Sequence, residues 1–278
     1  MNLFKFTVVF TLFYAGLLTA KELVVISHPF PPWQYSENGQ VKGINIDLLS
    51  LVGERLDIQF SYKHQPWSRA WRSVKRADGD AVISSSRKEQ REQYLLFPPI
   101  GTDLWTSHYV FFTHSHYQQN YSGSYQDILA DKLKVCVVNG YSYDASFWQN
   151  FPYQGNEQLS ERISYQPDNR NYHPLVVGAN STEECIGLLA RHRVKVVLSD
   201  KSIGLYEINK LKSNEKMYLA AKGLVAYPKV LFNKGYSISF VKGSTYPELE
   251  AVSKEIWAQL RVIHESGEYQ KIVRRWLD

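Results

Sequence analysis

The chain has 278 residues, with 32 Lys and Arg against 27 Asp and Glu and a formal charge of +5. That length allows one large or two medium domains. The charge is mild, and its densest basic stretch (Arg69, Arg72, Lys75, Arg76) reads as the solvated face of a helix, so nucleic acid is not an expected partner.

Residues 1–20 hold one charge, Lys5, and an apolar run from Phe6 to Leu18 that ends at Ala20. A basic start, a short apolar middle and a small residue at the break are the pattern of a secretory signal peptide. The run is short for a hydrocarbon layer of about 30 Å, which disfavours the alternative, an uncleaved anchor. No later stretch is long and apolar enough to span a membrane. Export exposes Cys136 and Cys185 to oxidising conditions, so a disulfide and a pair of buried thiols stand as alternatives. No His or Cys at ligand spacing turns this pair into a zinc site.

The remainder alternates strand and helix signals. Leu23 to Ile26 reads as a strand, and His28 to Gly43, with its prolines, as a turn-rich stretch. Asn45 is placed to cap a helix carrying Leu48, Leu49, Val52 and Leu56. Ile58 to Tyr62 reads as a strand. Pro66 opens a helix with Trp67, Ala70, Trp71 and Val74 on one face. Gly79 to Ile83 returns to a strand. This order predicts a parallel sheet covered by helices.

The pattern recurs with a strand over Lys134 to Val138, then Gly140 and a helix through Phe147. Ser181 with Glu184 predicts a capping box opening a helix with Cys185, Leu188 and Leu189. A strand from Val194 to Leu198 and a helix from Ser202 to Ile208 follow. Two similar α/β lobes are the natural reading. The tail, a strand at Tyr236 to Val241 and two helices broken by Gly267, is expected to return to the first lobe.

These residues resemble the family 3 extracellular solute-binding proteins, the polar amino-acid binders of ABC importers. The resemblance rests on Phe30-Pro31-Pro32-Trp33-Gln34-Tyr35, Gly43-Ile44-Asn45-Ile46-Asp47-Leu48, Pro66-Trp67 and Gly79-Asp80-Ala81-Val82-Ile83. Arg91 upstream of Phe97, Val197-Leu198-Ser199-Asp200 and Gly267-Glu268-Tyr269-Gln270-Lys271-Ile272 continue it in the same order. It implies a two-lobed periplasmic-binding-protein type II fold, each lobe a mostly parallel sheet flanked by helices, joined by two crossover strands. Lobe 1 is expected from 21–104 and 222–278, and lobe 2 from 105–221. The crossings are expected near Gly101 to Ser107 and Tyr218 to Leu224. The ligand would lie in the cleft between lobes, at the carboxyl ends of strands.

An amino acid needs a cation or N–H donors for its carboxylate and an anion for its ammonium. The resemblance assigns the first task to Arg91, whose planar fork matches a carboxylate, and the second to Asp200. A surface arginine and a helix N-cap are their plainer readings. Phe30 and Trp67 are expected as aromatic walls, although either residue type is often simply core. Ser86 would offer its hydroxyl and amide, and Gly140-Tyr141-Ser142 an anion site at a helix start, with Ser142 taken as a contact. The stretch 153–178 is longer and more polar than the family usual. The chain is therefore expected in the periplasm as a monomer that binds a small polar solute, needs no cofactor, and serves an ABC permease or a sensor receptor. An enzyme on the same scaffold is the remaining alternative, but no Gly-x-Ser-x-Gly, metal cluster or paired carboxylates support it.

Overall fold

The structure, a computed structural model, describes residues 22–139, 141, 143–152 and 172–277. The expected signal peptide, Gly140, Ser142 and most of the stretch 153–178 lie outside the described residues. No helix among the described residues is long and apolar enough to cross a membrane.

Strands and helices alternate from the start. β1 (Leu23–Ser27) is followed by a hairpin of β2 (Tyr35–Glu37) and β3 (Gln40–Lys42), then α1 (Ile44–Leu56) and β4 (Phe60–His64). Next come α2 (Trp67–Lys75), β5 (Ala81–Ser85), the short α3 (Glu89–Glu92) and β6 (Leu95–Leu96). The long β7 (Trp105–His114) leads to α4 (Ser115–Gln118), α5 (Tyr125–Ala130), β8 (Val135–Val138) and α6 (Ala145–Asn150). β9 (Val176–Ala179), α7 (Thr182–Ala190), β10 (Val196–Asp200), α8 (Lys201–Lys212), α9 (Tyr218–Lys222) and β11 (Leu224–Ala226) complete the second region. β12 (Phe232–Val241), α10 (Leu249–Glu265) and α11 (Glu268–Leu277) end the chain.

The main sheet runs β4-β1-β5-β12-β7-β10-β8-β9. Pairing is parallel among β4, β1 and β5 and again among β10, β8 and β9. Two antiparallel strands join these halves. The first part of β12, Phe232 to Tyr236, pairs with β7, and its later part, Ser237 to Phe240, pairs with β5. One crossing therefore starts at Trp105. The return lies on β12, later than the expected Tyr218 to Leu224. That segment forms α9 instead, and Leu224 to Ala226 pair with Phe112 to His114, extending the second lobe's sheet.

Each lobe buries its sheet between helices. Leu23, Val25, Leu48, Leu49, Ile83 and Phe240 pack with Ile256, Leu260 and Ile263 of α10, which places the tail on the first lobe. In the second lobe the two-residue strand period sends neighbours to opposite faces. Phe111, Val135, Val137 and Leu198 enter one layer, while Phe112, Cys136 and Val197 enter the other. Each large apolar side chain so buried contributes roughly 1.5–3 kcal/mol relative to exposure. Cys136 and Cys185 are disulfide-bonded, Cα atoms 5.6 Å apart, tying β8 to α7. That resolves the alternative left open by the sequence.

Several local expectations are refined. Gly43, not Asn45, precedes α1 as its N-cap, with φ of 129°. A Cβ there would lie 2.5 Å from the Trp33 carbonyl oxygen, so the close approach requires glycine. Ser181 does cap α7, accepting from the Glu184 N–H at 3.1 Å. The helix expected after Gly140 begins at Ala145, where Asp144 supplies the cap.

Candidate functional site

The carboxyl ends of β1 and β5 face a small cavity between the two lobes. Four of the expected site residues line it: Phe30, Trp67, Ser86 and Arg91. His28, Ser84, Tyr141, Lys234 and Tyr236 complete the lining. The cavity volume is about 30 Å³, room for roughly one or two waters. A wider cleft of about 490 Å³ adjoins it and shares Ser86 and Lys234.

Arg91 lies within the single turn α3 and is 3% exposed, unlike a surface arginine. One terminal nitrogen donates to the Ser86 carbonyl at 2.9 Å and to Ser86 Oγ at 3.0 Å. Its guanidinium lies 5.1 Å from the Trp67 ring and 5.4 Å from the Trp71 ring. These faces fix a buried cation by cation–π attraction while leaving its role one of presenting N–H donors. Trp67 in turn meets His28 edge-on at 4.7 Å.

The opposite wall is an aromatic stack. Trp33 stacks on Trp105 at 3.9 Å, and Trp105 stacks on Tyr236 at 4.7 Å. Tyr236 and Trp105 are direct partners on the crossing strands, so the hinge itself builds this wall. Phe30 touches Trp105, Tyr236 and Tyr141 at 5.5–5.7 Å. The Phe30–Tyr141 contact joins the lobes, as does Tyr35 with Tyr206 at 6.3 Å.

A polar floor lies below. Ser84 takes a positive φ of 54° at the end of β5, a strained conformation for a non-glycine residue. Its hydroxyl donates to Gln34 Oε1 at 2.9 Å and accepts from Asn45 Nδ2 at 3.0 Å. Asn45 also donates to Gln34 Oε1 at 2.7 Å. Asn45 thus organises the floor from inside α1 rather than capping the helix. His28 is buried, and its Nδ1 has no hydrogen-bond partner among the described residues. Burial, then His64 and Arg91, pulls its imidazole down to about 3, so the ring is neutral and able to donate or accept.

Asp200 does not line this cavity. It ends β10 buried, and its carboxylate accepts from Ser107 Oγ (2.8 Å), His108 N (2.9 Å) and Ile203 N (3.0 Å). The last bond caps α8, its plainer reading. Burial raises its carboxyl pKa against these donors. Ser142 lies outside the described residues, and its neighbour Tyr141 contributes a ring. His28, Lys234 and Tyr236 were not expected as site residues, and Tyr141 was expected only as part of a backbone anion site, whereas it lines the cavity. Lys234 and Tyr236 share one strand face, but the strand was expected to begin only at Tyr236.

Residues 23–278 match the model of the bacterial extracellular solute-binding proteins, family 3. The chain belongs to this family. Among its relatives, the probable histidine-binding protein of Neisseria gonorrhoeae is 24% identical over 251 residues, 89% of this chain and 79% of that protein. Two solved structures resemble the fold with a TM-score of 0.65. One is a histidine kinase sensor domain with similarity to periplasmic binding proteins, 18% identical and covering 92% of this chain and 96% of its own. The other is the GluR0 ligand-binding core in complex with L-glutamate, 19% identical and covering 94% and 100%. Family membership makes this a solute-binding protein of extracellular type, and the two-lobed fold with two crossover strands is the one the family shares.

Proposed function

We propose that the chain captures a small carboxylate-bearing solute, an amino acid, in the cavity between its lobes and delivers it in the periplasm to an ABC permease. The carrying observation is Arg91, a buried cation whose donors sit in a cavity walled by Phe30, Trp67 and Tyr236. A closed, low-dielectric site makes a charge-assisted bond to a carboxylate worth more than it would be in water. Phe30 and Trp67 supply apolar contact, Ser86 orients the guanidinium, and Ser142 remains a proposed contact from the second lobe. Asp200 would need to exchange one of its donors to accept a ligand ammonium, so we give it the task of holding α8 against β7. The likeness to a sensor domain favours a second reading, in which the same grip presents solute to a receptor rather than a permease.

The test is calorimetric titration with the amino acids that raise the melting temperature of the protein. Arg91→Met should weaken binding by about 30-fold or more, since removing one side of a buried charge pair costs roughly 2–5 kcal/mol. Undiminished affinity in a folded Arg91→Met variant would remove the carboxylate grip.

A further inference from the structure

His28 sits on the cavity beside the two rings expected to wall a solute. Its imidazole stands 5.5 Å from the Phe30 ring and 4.7 Å from the Trp67 ring, and all three line the same space. Neighbouring hydroxyls on that lining are engaged within the protein. Ser84 Oγ donates to Gln34 Oε1 and accepts from Asn45 Nδ2, Ser86 Oγ accepts from Arg91 at 3.0 Å, and the Tyr236 and Tyr109 hydroxyls share a hydrogen bond at 3.1 Å. The His28 ring differs. It is 6% exposed, and its Nδ1 has no hydrogen-bond partner among the described residues. A buried nitrogen left unpaired costs roughly 1–3 kcal/mol, and native structures keep few of them. An apolar side chain would meet the same two rings without that cost. Burial keeps the imidazole neutral, so one ring nitrogen donates and the other accepts.

We infer that His28 reads the solute's side chain, hydrogen-bonding through its ring to an uncharged polar group, an amide or a hydroxyl, while Arg91 holds the carboxylate. The inference rests on reading this cavity as the solute site. A neutral ring gives such a group a full hydrogen bond but gives a buried ion no countercharge. An aliphatic side chain of the same size displaces water from the ring and puts no hydrogen bond in its place. A site built to hydrogen-bond its solute rejects an analogue lacking that group far more sharply than an apolar pocket rejects a change of size.

Calorimetric titration with pairs of similar size tests it: asparagine against leucine, glutamine against methionine, threonine against valine, and tyrosine against phenylalanine. In the wild type, the polar member of whichever pair binds should exceed the apolar one by about 10-fold or more. His28→Leu and His28→Phe should erase that advantage and leave the apolar member's affinity as it was, with melting temperatures showing that the variants fold. His28→Gln, which keeps a polar group of similar reach, should retain part of it. Equal binding of both members to the wild type, or an advantage that survives in the two apolar variants, overturns the inference and leaves a solute site in place. An equal loss for both members in those variants gives the ring a purely structural role and overturns it too. Failure of every probe to bind wild-type protein overturns the amino-acid site itself and the inference with it.

Discussion

Glu207 is a residue whose environment sets a pH dependence. It lies on the buried face of α8, 5% exposed, and burial raises its carboxyl to about 7 from 4.5, with Lys210 pulling it down and Glu183 pushing it up. Between those two values the native state holds a proton that the unfolded chain releases, so stability falls as pH rises through the window. Glu207→Gln should flatten the pH dependence of denaturant unfolding and make the protein more stable above pH 7, by at most about 3 kcal/mol. A decline that persists unchanged in the variant would assign it to another group. At this scale the sequence was informative about type and less so about partner. Arg91 was legible because its chemistry and its place before Phe97 agree. Asn45 was misplaced because an Asn before an apolar stripe fits a cap, and only the fold reveals Gln34 and Ser84 waiting for its amide. Asp200 was assigned to the ammonium by the resemblance of Val197-Leu198-Ser199-Asp200, with a helix N-cap as its plainer reading, and its carboxylate accepts from Ser107, His108 and Ile203, the last bond capping α8.

Among the elements, the bond between Cys136 and Cys185 closes a loop with a sequence separation of 49 across β8, β9 and α7. Chain-entropy reasoning assigns such a loop about 4 kcal/mol. Replacing both cysteines by Ala should lower the denaturant midpoint of the second lobe by a corresponding amount, and unreduced, denatured wild type should show no titratable thiol. An unchanged midpoint would mean that the folded lobe gains nothing from the link. Most helices and strands could be read directly, because apolar periods of 2 and 3.6 mark buried faces without knowledge of what covers them. The exceptions have local reasons. The hairpin of β2 and β3 is too short for a period, though Asn38-Gly39 at its turn, with φ of 52° and 78°, is a hairpin signal that could have been used. β12 was clipped at Tyr236 because Asn233, Lys234 and Gly235 look like loop residues. A Cβ at Gly235 would meet Asp103 Oδ2 at 2.1 Å, so a larger residue would push aside the carboxylate that Ser237 Oγ binds. Clipping the strand hid both the true return crossing and the lysine on it.

At the scale of the whole molecule, β7 and β12 are the only strand connections through which the two halves of the main sheet pair among the described residues. Two crossing strands are the kind of hinge about which one lobe rotates against the other. Arg91 comes from the first lobe and Tyr141 from the second, so both lobes contribute to the lining of this cavity. The central claim is that one solute is held by both lobes at once. Small-angle scattering of the protein with and without a saturating amino acid that binds it tests this directly. The account predicts a smaller radius of gyration with solute than without, as the open population is drawn into the closed one. An identical profile in both states, with binding shown by calorimetry, would contradict it.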